Sequence, residues 1–290
     1  IFTVAKYFRE VIADLNRDYS IEIEALAAAA KVDPLWVYAL NARSEILNSL
    51  ALECTAVFFP SSALLGQNWD WSASLERLVR LVTIRSAQSP DILMLTEPGI
   101  IGKIGCNSAG LGVCLNILSC PRPTRGVPVH ILLRAVLDST DLGQAAEVLK
   151  RAKPGRASHI MIGSAEGQYL SIEYAGTEQY RLSADRWLLH TNHYLGGDVP
   201  LSGLAFASSR ERYHRATEVA EQLEERNFDG MQQLLSDQTK GEMSICSPYH
   251  RHEVLGDCGT VCTLIMELEK RQLYIKRGNR EDGNFKKYLI

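Results

Sequence analysis

The chain has 290 residues, 46% of them hydrophobic, and a formal net charge of -3. That length supports a large core in one domain, or in one domain with a helical appendage. The charge argues against a nucleic-acid partner, and acidic residues interrupt the one basic run, Lys276 to Lys287. No apolar run approaches the roughly eighteen residues of a membrane span. The seven cysteines are odd in number and irregularly spaced, with no C-x-x-C. They fit a reducing, cytoplasmic setting better than a disulfide framework. The first residue is Ile1 rather than Met, so nothing about targeting is read from that end.

Phe2, Ala5, Phe8, Val11, Ile12 and Leu15 recur at helix spacing. Ser20 is the expected cap of a second helix through residue 30, half made because Ile23 stands where a capping box wants Glu. Asp33-Pro34 opens a third, running to Ile46. From Cys54 the pattern becomes short strands: 54–59, a turn at Pro60-Ser61-Ser62, then 64–71. Strands are expected at 78–86, 92–96, 100–104 and 112–117, the last two joined by a turn at 107–110. Helices follow at 129–137 and 142–152, the second capped by Ser139, Thr140 and Asp141. Strands at 159–162, 168–174 and 187–191 precede helices at 211–225 and 231–235, and strands at 261–268 and 273–277 finish the chain. Such segregated runs predict α+β layers rather than an alternating parallel sheet.

The hairpin that starts at Cys54 carries the candidate chemistry. It brings the Cys54 thiol and the Asp70 carboxylate to the same end, a plausible nucleophile site. An ordinary buried cysteine in a core hairpin is the competing account. His193 is the best-placed base for a cysteine–histidine pair, although Val57-Phe58-Phe59 reads as strand where a papain-like site wants a helix start. No metal site is expected. His250-x-His252 with Cys258 and Cys262 has the ligand types without zinc spacing. Gly102, Gly105, Gly110 and Gly112 flank a turn with no helix after it, so they permit a hairpin and close backbone approach rather than a phosphate loop. Asn116 and Asn192 end apolar strands where packing does not favour Asn.

These motifs together resemble a known family. Cys54-Thr55-Ala56 with Gly66-Gln67-Asn68-Trp69-Asp70 is similar to the start of the mature chain in the acyl-coenzyme A:6-aminopenicillanate acyltransferase family. That family belongs to the N-terminal-nucleophile (Ntn) hydrolases, with penicillin V acylase and bile salt hydrolase as relatives. The likeness continues through Leu40-Asn41-Ala42-Arg43-Ser44-Glu45, the run from Thr96 to Gly105, Asn107-Ser108-Ala109-Gly110 to Asn116, Gly126-Val127-Pro128, Leu137-Asp138-Ser139-Thr140, His190-Thr191-Asn192-His193 and Ser244-Ile245-Cys246. It covers nearly the whole chain, in order.

The resemblance implies a four-layer αββα sandwich with a helical pro-segment. It implies self-cleavage between Glu53 and Cys54, leaving residues 1–53 as an associated small subunit and 54–290 as the catalytic domain. Cys54 would then use its own α-amino group, with a reference pKa near 8, as base. Asp70 resembles the acid that holds that amino group. The Asn192 side chain and the Asn116 backbone N–H resemble the oxyanion donors. Thr55, Gln67, His193 and Ser247 are the candidate substrate contacts. Ser247 departs from the penicillin enzyme, which has Arg there; Gln67 agrees with the acyltransferase branch, where the hydrolases have Arg. The implied substrate is a small-molecule amide or thioester, acyl-coenzyme A included, with no cofactor and with water or an amine as acceptor. Two readings from other classes remain at this stage. One is a non-catalytic protein that binds a small ligand on the same fold; the other is a hydrolase using Cys54 with His193.

Overall fold

Four helices open the chain: α1 (Phe2–Leu15), α2 (Arg17–Ala30), α3 (Pro34–Asn41) and the short α4 (Arg43–Ile46). The computed structural model describes residues 1–47, 53–121, 125–197, 199, 204–252, 256–280 and 282–290, with backbone alone at 53 and 204–206. The periodic residues of α1 behave as their spacing requires, Ala5, Phe8 and Ile12 being buried. The cap of α2 is Asn16, whose side chain accepts from the Asp18 N–H at 2.9 Å. Ser20, the expected cap, lies inside that helix and is buried. Asn16 wins because its amide oxygen caps the open N–H groups one turn earlier, so α2 follows α1 without a loop. Asp33 caps α3 as expected, accepting from Leu35 N at 2.8 Å.

The strands and helices then follow in segregated runs. First come β1 (Glu53–Phe59), β2 (Leu64–Ser72), β3 (Arg80–Ile84), β4 (Ile92–Thr96), β5 (Gly105–Asn107) and β6 (Leu111–Ile117). Helices α5 (Val129–Leu137) and α6 (Leu142–Arg151) precede β7 (Ser158–Ser164), β8 (Tyr169–Ala175), β9 (Glu178–Arg181) and β10 (Leu188–His190). Helices α7 (Leu204–Gln222) and α8 (Phe228–Leu235) lead to β11 (His250–His252), β12 (Gly256–Glu267), β13 (Gln272–Arg277) and β14 (Lys286–Leu289). Two differences from the expected elements stand out. Helix α7 begins at Leu204, before the amphipathic stretch that signalled it. The strand expected at 100–104 falls at Gly105–Asn107 instead. Residues 99–101 give their backbone groups to α3: Asn41 donates to Gly99 O at 2.8 Å and accepts from Ile101 N at 3.0 Å.

All the pairings between these strands are antiparallel among the described residues. One sheet runs β10-β1-β2-β12-β13-β14 with β11 attached to β12; the other runs β3-β4-β5-β6-β7-β8-β9. Strands β2, β4, β6 and β7 are buried throughout, as strands covered on both faces must be. Alternation sorts the first sheet's side chains. Cys54, Ala56, Phe58, Leu65 and Trp69 join the core between the sheets, while Val57, Phe59 and Leu64 pack with Val219, Met231 and Leu234 of α7 and α8. On the other side α5 and α6 cover the second sheet, with Ile131, Leu132, Ala145 and Leu149 in the main core. The result is an α+β sandwich of four layers, αββα. The helical arm docks on α5: Tyr19 Oη donates to Asp138 at 2.7 Å, and Arg134 pairs with Glu22 at 2.8 Å. Among the described residues no helix is long and apolar enough to cross a membrane.

Candidate active site

Strand β1 pairs β2 with Cys54 opposite Trp69 and Glu53 opposite Asp70. The hairpin therefore brings Cys54 and Asp70 to one end, as its sequence indicates. The pleat sends alternate residues to opposite faces, so the thiol turns toward the second sheet while Asp70 lies on the α7/α8 side, across from Glu53. A β-bulge in β12 between Thr260 and Cys262 sits beside this pair, and bulges often re-aim side chains at functional sites. Here Thr260 Oγ1 donates to Asp70 Oδ1 at 2.6 Å and accepts from Ser247 N at 2.8 Å. Ser247 thus acts through Thr260 on Asp70. It does not line the cavity at Cys54, and Arg251, the nearest arginine in sequence, is exposed beside Asp257.

The backbone of Cys54 is held from every side. Its N–H donates to Asn192 Oδ1 at 2.8 Å. Its carbonyl accepts from Asn116 Nδ2 at 3.1 Å and from Arg212 Nη1 at 2.8 Å. Arg212 also donates to Thr55 Oγ1 at 3.1 Å and, through Nη2, to Asn192 Oδ1 at 3.0 Å. Asn192 Nδ2 donates to Ile117 O at 2.9 Å. Asn192 is thus an acceptor for Cys54, and Asn116 reaches Cys54 through its side chain. Behind Asn116, Oδ1 meets His159 Nδ1 at 3.0 Å, and His159 Nε2 meets Ser171 Oγ at 2.8 Å. The His159 ring stacks on His190 at 3.6 Å, and His190 pairs with Glu173 at 2.8 Å. These groups are buried, so each must find a partner, and the network fixes which way Asn116 points.

Beside the thiol lies a cavity of about 30 Å³ walled by Cys54, Gln67, Trp69, Trp71, Lys103 and Arg43. That is room for water and too little for an acyl chain. Gln67 ties the two sheets together there, donating to Leu115 O at 2.6 Å and accepting from Leu115 N at 2.9 Å. Arg43 grips Glu97 with both Nη atoms, one at 2.7 Å, and Lys103 bonds the same carboxylate. Lys103 Nζ stands 3.0 Å from the centre of the Trp69 ring, and Arg43 lies over Trp71 at 5.2 Å. Burial pushes Glu97 up, but Lys103 and Arg43 outweigh it and hold the carboxyl at about 2. Burial lowers Lys103 to about 8 against the pull of Glu97.

The thiol of Cys54 is raised to about 12. Burial is the main cause and the Asp70 charge adds to it, while the Asp70 N–H, Arg212 and Gln67 act in the opposite direction. Such a thiol needs a base before it can attack. His193 does not line the cavity. Its Nδ1 meets Ser209 Oγ at 2.8 Å and Thr191 Oγ1 at 3.1 Å, and burial lowers its pKa to about 4. His250 and Cys258 stand opposite in the β11–β12 ladder. Among the described residues no group of three His, Cys, Asp or Glu is placed to hold a metal ion. The close approaches of Gly102 and Gly105 are to α5 and β4, not to Cys54: a Cβ at Gly102 would lie 2.2 Å from His130 O, and one at Gly105 2.5 Å from Leu93 O.

The structure thus gathers Cys54, Thr55, Gln67, Asp70, Asn116 and Asn192, and sets Ser247 and His193 behind them. Sequence reasoning missed Arg212, Arg43, Glu97 and Lys103. The last three lie inside motifs that carried the resemblance but had no assigned part. Arg212 sits in an ordinary amphipathic run, where nothing marks one arginine as buried.

Two sheets face to face between helix layers, with a cysteine at the start of a central strand, define an Ntn-hydrolase fold. Solved structures agree. Penicillin V acylase from Agrobacterium tumefaciens matches with a TM-score of 0.50 at 14% identity, over 82% of this chain and 86% of that one. A mutant of conjugated bile acid hydrolase from Clostridium perfringens matches at 0.56 and 14%, over 82% and 97%. The chain belongs to the acyl-coenzyme A:6-aminopenicillanic acid acyl-transferase family, whose model matches residues 58–282. It is 32% identical over 284 residues to the 40 kDa form of acyl-coenzyme A:6-aminopenicillanic-acid-acyltransferase from Emericella nidulans, covering 92% of this chain and 77% of that one.

Proposed function

We propose that the chain is the precursor of a self-processing acyltransferase or amidohydrolase with Cys54 as nucleophile. The observation that carries this reading is the treatment of one peptide bond. Between Glu53 and Cys54 the nitrogen is already bonded to Asn192, the following carbonyl is clamped by Asn116 and Arg212, and Asp70 stands opposite Glu53. An ordinary strand residue needs none of these side chains.

In processing, the Cys54 sulfur attacks the Glu53 carbonyl carbon and the C–N bond breaks, the nitrogen taking up the thiol proton. Water then hydrolyses the thioester, releasing the Glu53 carboxyl and restoring the thiol. The freed α-amino group, near pKa 8, supplies the base that the buried thiol lacks. Asp70 is across the ladder from that amino group. In turnover the thiol attacks the carbonyl of a small amide or acyl thioester, acyl-coenzyme A among them. The leaving amine or thiol carries off the proton, and water or an amine takes the acyl group. Asn192 serves the oxyanion as a donor through Nδ2, which in the intact chain is given to Ile117 O and has to turn from it. The small subunit stays bound through Asn41, Arg43, Glu45 and Arg134–Glu22; Glu45 Oε1 accepts from Val129 N at 2.8 Å.

Incubation with p-nitrophenyl acetate tests the assignment. An acetyl mass on the fragment beginning at Cys54 is expected, with none on Cys54→Ala. Turnover of the ester by a folded Cys54→Ala protein would overturn it.

A further inference from the structure

Arg212 has no exposed surface. Its guanidinium reaches both sides of one residue. Nη1 bonds the Cys54 carbonyl at 2.8 Å, and Nη2 bonds Asn192 Oδ1 at 3.0 Å, the same oxygen that accepts the Cys54 N–H at 2.8 Å. A planar fork spans two acceptors in this way; an ammonium is a single point of charge. Thr55 Oγ1 is a third acceptor at 3.1 Å, and Nε reaches Ser208 Oγ at 3.5 Å.

We infer that Arg212 is a positioning residue whose fixed charge opposes that of Asp70 at Cys54, favouring the thiolate and, once the chain is cut, the uncharged α-amino group. The inference deepens the reading above and rests on Cys54 being the nucleophile. A nearby cation disfavours an ammonium and favours a thiolate, and an arginine does not itself titrate in the working range. The carbonyl clamp holds the distance fixed while the bond on the other side of Cys54 is broken.

Among the described residues, the other ionisable groups around Cys54 do not supply this effect. Asp70, from β2, opposes it by favouring both protonated forms. Lys103, ahead of β5, and Arg43, from α4, are tied to Glu97. Cys114 of β6 and Cys262 of β12 are pushed up by burial and stay neutral. His130 of α5, held at about 3 by burial with help from Arg43 and Lys103, is also neutral. On the α7 side His193 is neutral near pH 7, and Glu173 is spoken for by His190. Arg212 acts on Cys54 in the sense opposite to Asp70, toward the thiolate.

Iodoacetamide alkylation of Cys54 in wild type, Arg212→Gln and Arg212→Lys, followed by mass spectrometry between pH 6 and 10, tests the charge separately from the packing. Loss of the cation moves the profile up by about one pH unit. Arg212→Gln is therefore alkylated about tenfold more slowly at pH 8, and if processed it regains the wild-type rate at high pH. Arg212→Lys stays within about threefold of wild type. Equal profiles for wild type and Arg212→Gln overturn the inference, as does an equal slowing or unfolding of both variants, which would leave Arg212 a packing role alone. The masses of the same samples show whether Glu53–Cys54 is cut. An uncut wild type that still shows the Arg212→Gln shift sinks self-processing and leaves the inference standing.

Discussion

Two buried polar clusters flank Cys54, and they are built on different terms. On the cavity side Arg43, Lys103 and Glu97 form an ion network whose charges answer one another and whose cations also lie over Trp71 and Trp69. On the α7 side the backbone of Cys54 is held by the amides of Asn116 and Asn192 and by one arginine. The first cluster joins the helical arm to the sandwich; remove one member and a charge is stranded. The second surrounds Cys54 with groups that do not titrate near neutral pH, among them Arg212, whose proposed effect there opposes that of Asp70.

That division is open to direct attack. Glu97→Gln strands Arg43 and Lys103 and should cost about 3–5 kcal/mol, read by urea unfolding, because breaking a buried pair leaves an uncompensated charge. Its pH signature follows from the sign of the shift. The Glu97 carboxyl is lower in the folded chain, about 2 against an ordinary 4.5. The wild type therefore keeps this stabilisation above about pH 4.5 and loses it as the pH falls toward 2, and Glu97→Gln should lack that acid dependence. If Glu97→Gln unfolds at the wild-type urea concentration, the cluster is not what holds the arm. On the other side, the neighbours Asn192 and His193 should part company. Asn192→Ala should lower turnover of an activated ester about a hundredfold, the usual cost of an oxyanion donor. His193→Ala should lower it less than about tenfold, since losing a general base costs about a hundredfold or more. A reversal of those two results would return the base to His193.

Much of this was legible in the residues. The hairpin, its bringing of Cys54 and Asp70 to one end, the layered order and the Asp33 and Asp141 caps all follow from local patterns that the folded chain keeps. What local pattern misses is long-range replacement of one partner by another. The strand expected at 100–104 yields to Asn41, a residue of the helical arm, which takes the Gly99 and Ile101 backbone groups. Asn116 was singled out for its backbone, yet its side chain is what reaches Cys54, because His159 from β7 turns the amide. Arg212 comes from 158 positions away. Its helix buries one arginine among several, and only the packing of α7 on β1 decides which. The arm's link to Cys54 between residues 48 and 52 lies outside the described residues.

The central claim is that Cys54 becomes a chain terminus. The most direct measurement is the intact mass of purified wild type beside Cys54→Ala, with the first residue of each fragment read. The account predicts two fragments in the wild type, the larger beginning at Cys54 and both eluting together, and one uncut chain in the variant. A wild type that remains a single chain, with Glu53 still joined to Cys54, would contradict it.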